Sequence, residues 1–301
     1  MKLKKKYVIA LLVLLIILII LTFTFVFRNE IKSMFDKNET KEDPKPSEEV
    51  KPTDPDKEYK TVSNFKLENL NRYKEYKAKN DNLDYETIVN YVNMGLDYAF
   101  YGYINDTDMS KGINILTNKY NKLPNNYEPE DLEEIDSKYF ISGNLYVREM
   151  RKVAKDAFEN LAKDAMDAGF PVYGQSGYRP YSMQVNLYNS AVNRLGKKDA
   201  DDETARPGHS EHQTGLTIDV SSTKGGNMET FHNSNSFTWM KNNAHKYGFI
   251  MRYPKGYEHL TGFMYESWHY RYVGVEIATD MHDNYPNMTY DEYYYKFIDN
   301  K

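Results

Sequence analysis

Two histidines and one aspartate stand in segments whose residue types suit metal chemistry. His212 and Asp219 lie within the segment SEHQTGLTID at positions 210–219, and His269 ends the segment ESWH. Two imidazoles and one carboxylate are a frequent ligand set for Zn²⁺, which leaves a fourth position for water. This set suits zinc better than calcium or magnesium. Taken alone, however, the same residues are also common in capped turns and as hydrogen-bonded core histidines.

Glu266 precedes His269 by three residues, so a metal-activated water could pass its proton to this carboxylate. The alternative is a surface glutamate on a strand edge. In a regular strand, residues separated by an odd number point to opposite faces. His212 and Asp219 therefore need a bend between them, which Gly215 would tolerate, and an irregular strand or loop must join Glu266 to His269.

The segment SGYRPYSMQ at positions 176–184 offers groups that could bind a peptide. Hydrolysis of an amide creates an oxyanion, and a fixed guanidinium such as that of Arg179 could stabilise it. Gln184, one turn into the following helix, could hold a peptide group or a carboxylate. Trp268 suits a pocket wall and the core equally well. An isolated arginine is more often solvated, so Arg179 alone is weak evidence for a site.

Hydrophobic spacing predicts helices that alternate irregularly with short strands. Apolar residues recur at helical spacing after Asp84, from about 144 to 168 and from 181 to 195. Strands are predicted at 216–222, 249–253 and 265–273. The basic residues Arg252 and Lys255, in the segment RYPKG, are interpreted as belonging to a solvated loop. The tyrosine-rich segment 290–297 is predicted to cover the core. The pattern predicts an α+β fold in which helices flank a small, mostly antiparallel sheet.

The composition excludes several classes of protein. The chain has 301 residues, no cysteine and a formal net charge of −5. The absence of cysteine rules out disulfide scaffolds, cysteine zinc fingers and a cysteine nucleophile. The first 28 residues contain five basic residues and no acid, so the remainder is acidic, and no nucleic-acid partner is expected.

The N-terminus predicts a membrane anchor. Tyr7 to Phe27 form an uncharged run of 21 residues that follows four lysines, which favours a single-pass helix with a cytoplasmic N-terminus. A cleaved signal peptide is the rival interpretation, but the run is long and ends in bulky residues. The predicted domains are an anchor at 1–28, a disordered, proline- and charge-rich tether at 29–61, and an extracellular domain at 62–301 with a catalytic core at about 112–285.

The order of the three motifs resembles the VanY-type zinc D-alanyl-D-alanine carboxypeptidases, which are close relatives of the L,D-carboxypeptidases and D-Ala-D-Ala dipeptidases. The family motif is S-x-H-x-x-G-x-A-x-D followed by E-x-W-H. This chain supplies both halves but has Thr217 where the family has alanine, and Ser267 where many relatives have proline. The similarity covers roughly residues 85 to 285.

The resemblance implies a zinc peptidase that acts outside the cytoplasm on peptidoglycan stem peptides. It would remove the last D-alanine of a pentapeptide, the terminus that glycopeptide antibiotics bind. An L,D-carboxypeptidase acting on tetrapeptides and a non-catalytic, metal-stabilised wall-binding module are the alternatives, and the oligomeric state is left open. The implied roles are zinc binding by His212, Asp219 and His269, general base catalysis by Glu266, stabilisation of the intermediate by Arg179, and substrate contact by Gln184, Ser210 and Trp268.

Overall fold

The computed structural model describes residues 54–141 and 148–299, and within them it places eight short strands. Each strand is no longer than the seven residues of the last one. Short strands of this kind need helices packed on them to bury enough apolar surface. The strands are β1 (Asn105–Asp106), β2 (Asn121–Lys122), β3 (Leu132–Glu134), β4 (Glu149–Arg151), β5 (Tyr173–Ser176), β6 (Thr217–Ser221), β7 (Phe249–Tyr253) and β8 (Glu266–Tyr272).

The last four strands form the central sheet, in the order β5-β6-β8-β7. Every neighbouring pair in this sheet is antiparallel. Two smaller pairs lie outside it: β1 and β2 are parallel, and β3 and β4 are antiparallel. The prediction of an α+β fold with a small, mostly antiparallel sheet flanked by helices is confirmed for the described residues.

Ten α-helices surround these strands within the described residues. Asp84 caps the third helix by accepting a hydrogen bond from the Thr87 backbone N–H at 2.7 Å, as its position predicts. The helices are α1 (Lys57–Lys60), α2 (Leu70–Lys79), α3 (Tyr85–Met94), α4 (Lys152–Asp167), α5 (Tyr181–Leu195), α6 (Lys197–Glu203), α7 (Asn235–Asn243), α8 (Glu258–Thr261), α9 (Val275–Asn284) and α10 (Tyr290–Tyr293).

One predicted helix boundary is wrong. Helix α4 begins at Lys152, not near residue 144, because Glu149–Arg151 pair with β3 as a strand. The apolar spacing of Met150 continues that of the helix, so periodicity alone does not separate the two elements. Residues 142–147, where the predicted helix was placed to begin, lie outside the described residues.

Helix α4 and the central sheet share the main core. Phe158, Leu161 and Ala165 of the helix pack with Ile218 and Val220 of β6, and all five are fully buried. A second core contains the tyrosine-rich end of the chain, where Tyr290–Tyr293 and the following π-helical turn Tyr294–Ile298 bury their rings. The tyrosine-rich segment, predicted to cover the core, is thus itself part of this second core.

The predicted anchor and most of the predicted tether lie outside the described residues. Among residues 54–141 and 148–299, no helix combines the length and the hydropathy that a membrane span needs. The run Tyr7–Phe27 lies outside these residues, so the anchor stays a prediction.

Candidate functional site

His212 is placed by a short 3₁₀ turn, Glu211–Thr214, which ends at Gly215. Gly215 has φ 68°, the left-handed conformation that favours glycine. A Cβ there would also lie only 3.0 Å from side-chain atoms of Leu132 and Arg151. The chain turns sharply at this residue and enters β6, which carries Asp219. The bend predicted at Gly215 is present.

An irregular register in β8 places Glu266 and His269 at one centre. Met251 of β7 pairs with Tyr270, but Tyr253, two residues further along, pairs with Glu266. Strand β8 therefore has two more residues than β7 between these pairs, and such a bulge redirects side chains. His269 also pairs with Asp219 on the other side of β8. The irregular strand that the odd spacing requires is thus observed.

The three predicted ligands converge. Donor atoms of His212, Asp219 and His269 all lie within 4.8 Å of one another. His212 Nε2 is 3.2 Å from Asp219 Oδ2, and His269 Nδ1 is 3.2 Å from Asp219 Oδ1. The two imidazole planes are perpendicular, with centroids 5.0 Å apart. Perpendicular rings can direct two lone pairs at one point between them.

Two features of this group fit a cation. Asp219 Oδ1 is buried and accepts no well-directed hydrogen bond, which is costly unless a positive charge faces it. His212 Nδ1 lies 2.7 Å from the Gly177 carbonyl oxygen, so it donates its proton there and leaves Nε2 as the acceptor. Burial lowers the pKa of His212, which favours the neutral imidazole that binds metals. These residues fit Zn²⁺.

A second histidine–aspartate group has a different geometry. His245, His282 and Asp283 also bring donor atoms within 4.8 Å of one another. The two imidazoles, however, stack face to face, with centroids 3.6 Å apart and planes at 16°. Lone pairs in nearly parallel planes cannot both point at one ion, so this arrangement does not fit a metal.

Glu266 has the position and the charge behaviour of a general base. Its Oε2 lies 3.4 Å from His269 Nδ1, and its side chain is 12% exposed. Burial raises the pKa of Glu266 to about 7, although the nearby His269 opposes the shift. A carboxylate with a pKa near neutrality can both accept a proton and give it up again.

Arg179 lies against the same group and is held by its neighbours. Its Nη2 is 3.9 Å from Asp219 Oδ2 and donates to Ser176 Oγ at 3.0 Å. Its Nη1 donates to Gln184 Oε1 at 3.0 Å. Burial lowers the pKa of the Arg179 guanidinium, and Asp219 and Glu266 oppose that shift. A fixed, poorly solvated cation of this kind can stabilise an oxyanion.

Gln184 is 1% exposed, and both ends of its amide are already engaged. Its Oε1 accepts from Arg179, and its Nε2 donates to the Ala205 carbonyl at 2.7 Å. The geometry therefore favours a role in orienting Arg179, and direct contact between Gln184 and a substrate stays a prediction.

We expect Gln184→Met to lower kcat/KM for amide hydrolysis at this site by about 10–100-fold, because Arg179 loses a hydrogen bond worth about 1.5–3 kcal/mol. Steady-state kinetics would measure the change. The matched control is Gln175→Met, which removes a hydrogen bond to the Gly226 carbonyl (2.6 Å) without touching Arg179. Equal losses in both variants would argue against orientation by Gln184.

All eight predicted site residues line one cavity of about 560 Å³. Ser210 is among the lining residues. Trp268 lines the cavity and also packs against the main core, so both interpretations of this tryptophan apply. The lining also includes His232 and Tyr253, and the Tyr253 ring is 4.8 Å from that of His269.

The residues behind His269 were not predicted from the sequence. Glu211 lies fully buried with an oxygen 3.5 Å from His269 Nε2. The prediction that Arg252 is solvated is wrong, because Arg252 is 1% exposed and donates to Glu211 Oε1 at 2.8 Å. A carboxylate next to a presumed ligand and an arginine inside an apolar strand were the available signals.

Lys119 ties together two segments that flank the cavity. It is 1% exposed, and its Nζ donates to the carbonyl oxygens of Asp201 (2.7 Å) and Gly262. Three aromatic rings surround the ammonium with centroids 4.5–5.4 Å away. Burial lowers the pKa of Lys119 to about 8 from an ordinary 10.5.

This shift predicts a pH-dependent stability. Below pH 8 both states hold the proton and the folded state carries the full cost of the buried charge, whereas above about pH 10.5 neither state is charged and that cost vanishes. We expect the unfolding free energy of the wild type, relative to Lys119→Met, to rise by about 1–3 kcal/mol from pH 7.5 to 10.5. Urea unfolding of both proteins would measure it, and a constant difference would contradict the prediction.

Comparison with known proteins agrees with this geometry. The profile of the family described as VanY, D-alanyl-D-alanine carboxypeptidase, matches residues 147–275. YodJ of Bacillus subtilis, a protein named as a carboxypeptidase, is 40% identical over 188 residues, which cover 62% of this chain and 68% of YodJ. The chain belongs to the VanY family. The matched residues include strands β5 to β8 and all eight predicted site residues.

Two solved structures share the fold of this VanY-family chain. The LdcB LD-carboxypeptidase aligns with a TM-score of 0.59 and 38% identity, over 64% of this chain and 90% of LdcB. A VanY D,D-pentapeptidase variant in complex with Zn(II) aligns with a TM-score of 0.50 and 29% identity, over 60% of this chain and 97% of that one. The chain is therefore a carboxypeptidase of this family.

Proposed function

We propose that this chain is a zinc-dependent carboxypeptidase that releases the C-terminal D-alanine from peptidoglycan stem peptides. The observation that carries the proposal is the gathering of His212, Asp219 and His269 around one point, with Glu266 3.4 Å from His269. The Zn(II) complex of the VanY pentapeptidase supports the choice of metal.

The residues around the cavity would have separate roles in amide hydrolysis. Zn²⁺ bound by the two imidazoles and Asp219 would supply Lewis-acid activation of water and of the scissile carbonyl. Glu266 takes the proton from the attacking water and returns it to the leaving amine. Arg179 stabilises the negative charge that develops on the carbonyl oxygen. Its hydrogen bonds to Ser176 and Gln184 hold the guanidinium in place while that charge forms.

The preferred substrate in this proposal is the pentapeptide that ends in D-Ala-D-Ala. The description of the matched family supports D,D-carboxypeptidase activity. Removal of the last residue would also eliminate the terminus that glycopeptide antibiotics bind, so the enzyme would contribute to resistance where it acts on enough stem peptides.

A second candidate is the L,D-carboxypeptidase reaction on the tetrapeptide. The observation that favours it is the similarity to LdcB, which exceeds that to the VanY pentapeptidase in both identity and TM-score. Both reactions release D-alanine and use the same metal group, so the residues at the scissile bond do not separate them. The non-catalytic wall-binding module is disfavoured by the family membership and by the intact Glu266.

Mass spectrometry of the products from matched stem tetrapeptides and pentapeptides would test the proposal. The zinc-loaded protein is expected to shorten the pentapeptide by one alanine, and a chelator is expected to stop the reaction. Loss of alanine from the tetrapeptide alone would establish the L,D reaction instead. No release from either peptide by metal-loaded protein would overturn the assignment.

The cellular location is part of the proposal. A catalytic domain held outside the cytoplasmic membrane by the helix predicted at Tyr7–Phe27 would face the peptidoglycan, which is its substrate here. Protease treatment of intact protoplasts would test this topology. Digestion of the catalytic domain in intact protoplasts is expected, and its protection until the membrane is opened would contradict the proposed location.

A further inference from the structure

Behind His269 lies a buried set of four charged side chains. Glu211 Oε1 accepts from Arg252 Nε at 2.8 Å and from Arg271 Nη1 at 3.2 Å. Arg252 Nη1 continues to Asp291 Oδ2 at 2.6 Å. All four residues are at most 2% exposed, and their formal charges cancel. Buried charges of this kind persist only when each is paired, so the positions of these groups are strongly constrained.

The set is also tied to the surrounding backbone. Arg271 Nη2 donates to the carbonyl oxygens of Ile113 and Ile115, both at 2.9 Å. Asp291 accepts from Asn118 Nδ2 at 2.7 Å. These anchors lie outside residues 147–275, the part of the chain that the family profile matches. Arg271, which binds Glu211, is therefore anchored by a segment before the matched region. Arg252, the other arginine bound to Glu211, is anchored by Asp291, which lies after that region.

The two oxygens of Glu211 face different partners. Both arginines bind Oε1, whereas Oε2 lies 3.5 Å from His269 Nε2. The other nitrogen of the same imidazole, Nδ1, lies 3.2 Å from Asp219 Oδ1 and 3.4 Å from Glu266 Oε2. A neutral imidazole protonates only one of its nitrogens. Two carboxylates lie beside Nδ1 as well, but a cation at the metal position would need the Nδ1 lone pair, which leaves Nε2 to carry the proton. The fixed carboxylate of Glu211 then accepts a hydrogen bond from Nε2 and favours that tautomer.

We infer that Glu211 is a positioning residue that fixes His269 as the Nε2-protonated tautomer, and that the Arg252–Arg271 pair holds Glu211 in place for this task. Of the proposed function, the inference requires only that the protein binds zinc. It concerns metal binding rather than peptide hydrolysis, so its tests need no peptide substrate.

A direct test uses the wild-type protein. In zinc-loaded protein labelled with ¹⁵N-histidine, the ring signals of His269 are expected to show a protonated Nε2 and a metal-bound Nδ1, whereas His212 shows the reverse. Metal binding by His269 Nε2, or a proton on its Nδ1, would overturn the inference. This experiment requires no variant and therefore does not depend on whether a substituted protein folds.

Glu211→Gln provides the second test. The arginines can only donate hydrogen bonds, so the amide oxygen of the new side chain must face them and its NH₂ group then faces His269 Nε2. That arrangement favours the opposite tautomer, which points a proton at the metal. We expect the variant to bind zinc about 10–100-fold more weakly in a chelator competition assay.

Asp291→Asn is the matched control, because it disturbs the same buried set without touching His269. A merely structural role for Glu211 predicts that the two variants lose similar thermal stability and similar zinc affinity. The inference predicts that only Glu211→Gln loses zinc affinity beyond what Asp291→Asn loses. Unchanged zinc affinity in a folded Glu211→Gln variant would overturn it, even if peptide hydrolysis by the wild type were established.

Discussion

Glu266→Gln is expected to lower kcat for D-alanine release by about 10²–10⁴-fold, because the amide cannot take the proton from the attacking water. The side chain keeps its size, and Glu266 is not one of the three converging ligands, so zinc should remain bound. Burial raises the pKa of the wild-type carboxyl to about 7, so a neutral side chain is less costly to bury at this position than the charged carboxylate. The fold should therefore survive the substitution. Single-turnover kinetics with a stem pentapeptide would measure the effect.

The control for this prediction is Glu276→Gln, a substitution at an exposed glutamate near the start of α9. It should leave both kcat and zinc content unchanged. A Glu266→Gln variant that retains zinc and turns over at the wild-type rate would remove Glu266 from the mechanism.

The second large effect is expected for His212→Ala, which removes one of the three ligands. Zinc affinity should fall by orders of magnitude, and D-alanine release should fall to the background rate, because the remaining imidazole and carboxylate do not complete a zinc site. Zinc should also lose its ability to raise the melting temperature, since a ligand stabilises the folded state only to the extent that it binds it. Metal analysis after gel filtration and thermal unfolding with and without zinc would measure both effects.

His282→Ala is the matched control, because His282 belongs to the histidine–aspartate group whose rings stack in nearly parallel planes. This variant should retain one zinc per chain and full activity. If His212→Ala kept its zinc while His282→Ala lost it, the metal would be at the second group and the catalytic assignment would fail.

Much of the site could be predicted from the sequence because its constraints are local. The odd spacing between His212 and Asp219 required a bend, and Gly215 provides it with a left-handed backbone. The odd spacing between Glu266 and His269 required an irregular strand, and β8 has one opposite β7. In both cases one short segment contains the two residues that must converge and the backbone irregularity that brings them together.

The buried charges behind the site could not be predicted in the same way. Glu211 and Arg252 are 41 residues apart, and Arg252 and Asp291 are 39 apart. The apolar neighbours of Arg252 in β7 are a signal of burial, but they do not identify Glu211 and Asp291 as the partners that allow its charge to be buried. Those contacts form only when the chain folds β7 next to the 3₁₀ turn that contains Glu211. The start of α4 was missed for a similar reason, since the pairing of β4 with β3 overrides the helical spacing.

The most direct test of the central claim is an anomalous diffraction map at the zinc edge, from crystals of the protein grown with zinc. We expect one peak, in the cavity, within about 2.0–2.2 Å of His212 Nε2, His269 Nδ1 and an oxygen of Asp219, with Glu266 beside it but not among the ligands. A peak at the His245–His282 pair alone, or none between the three predicted ligands, would contradict the account.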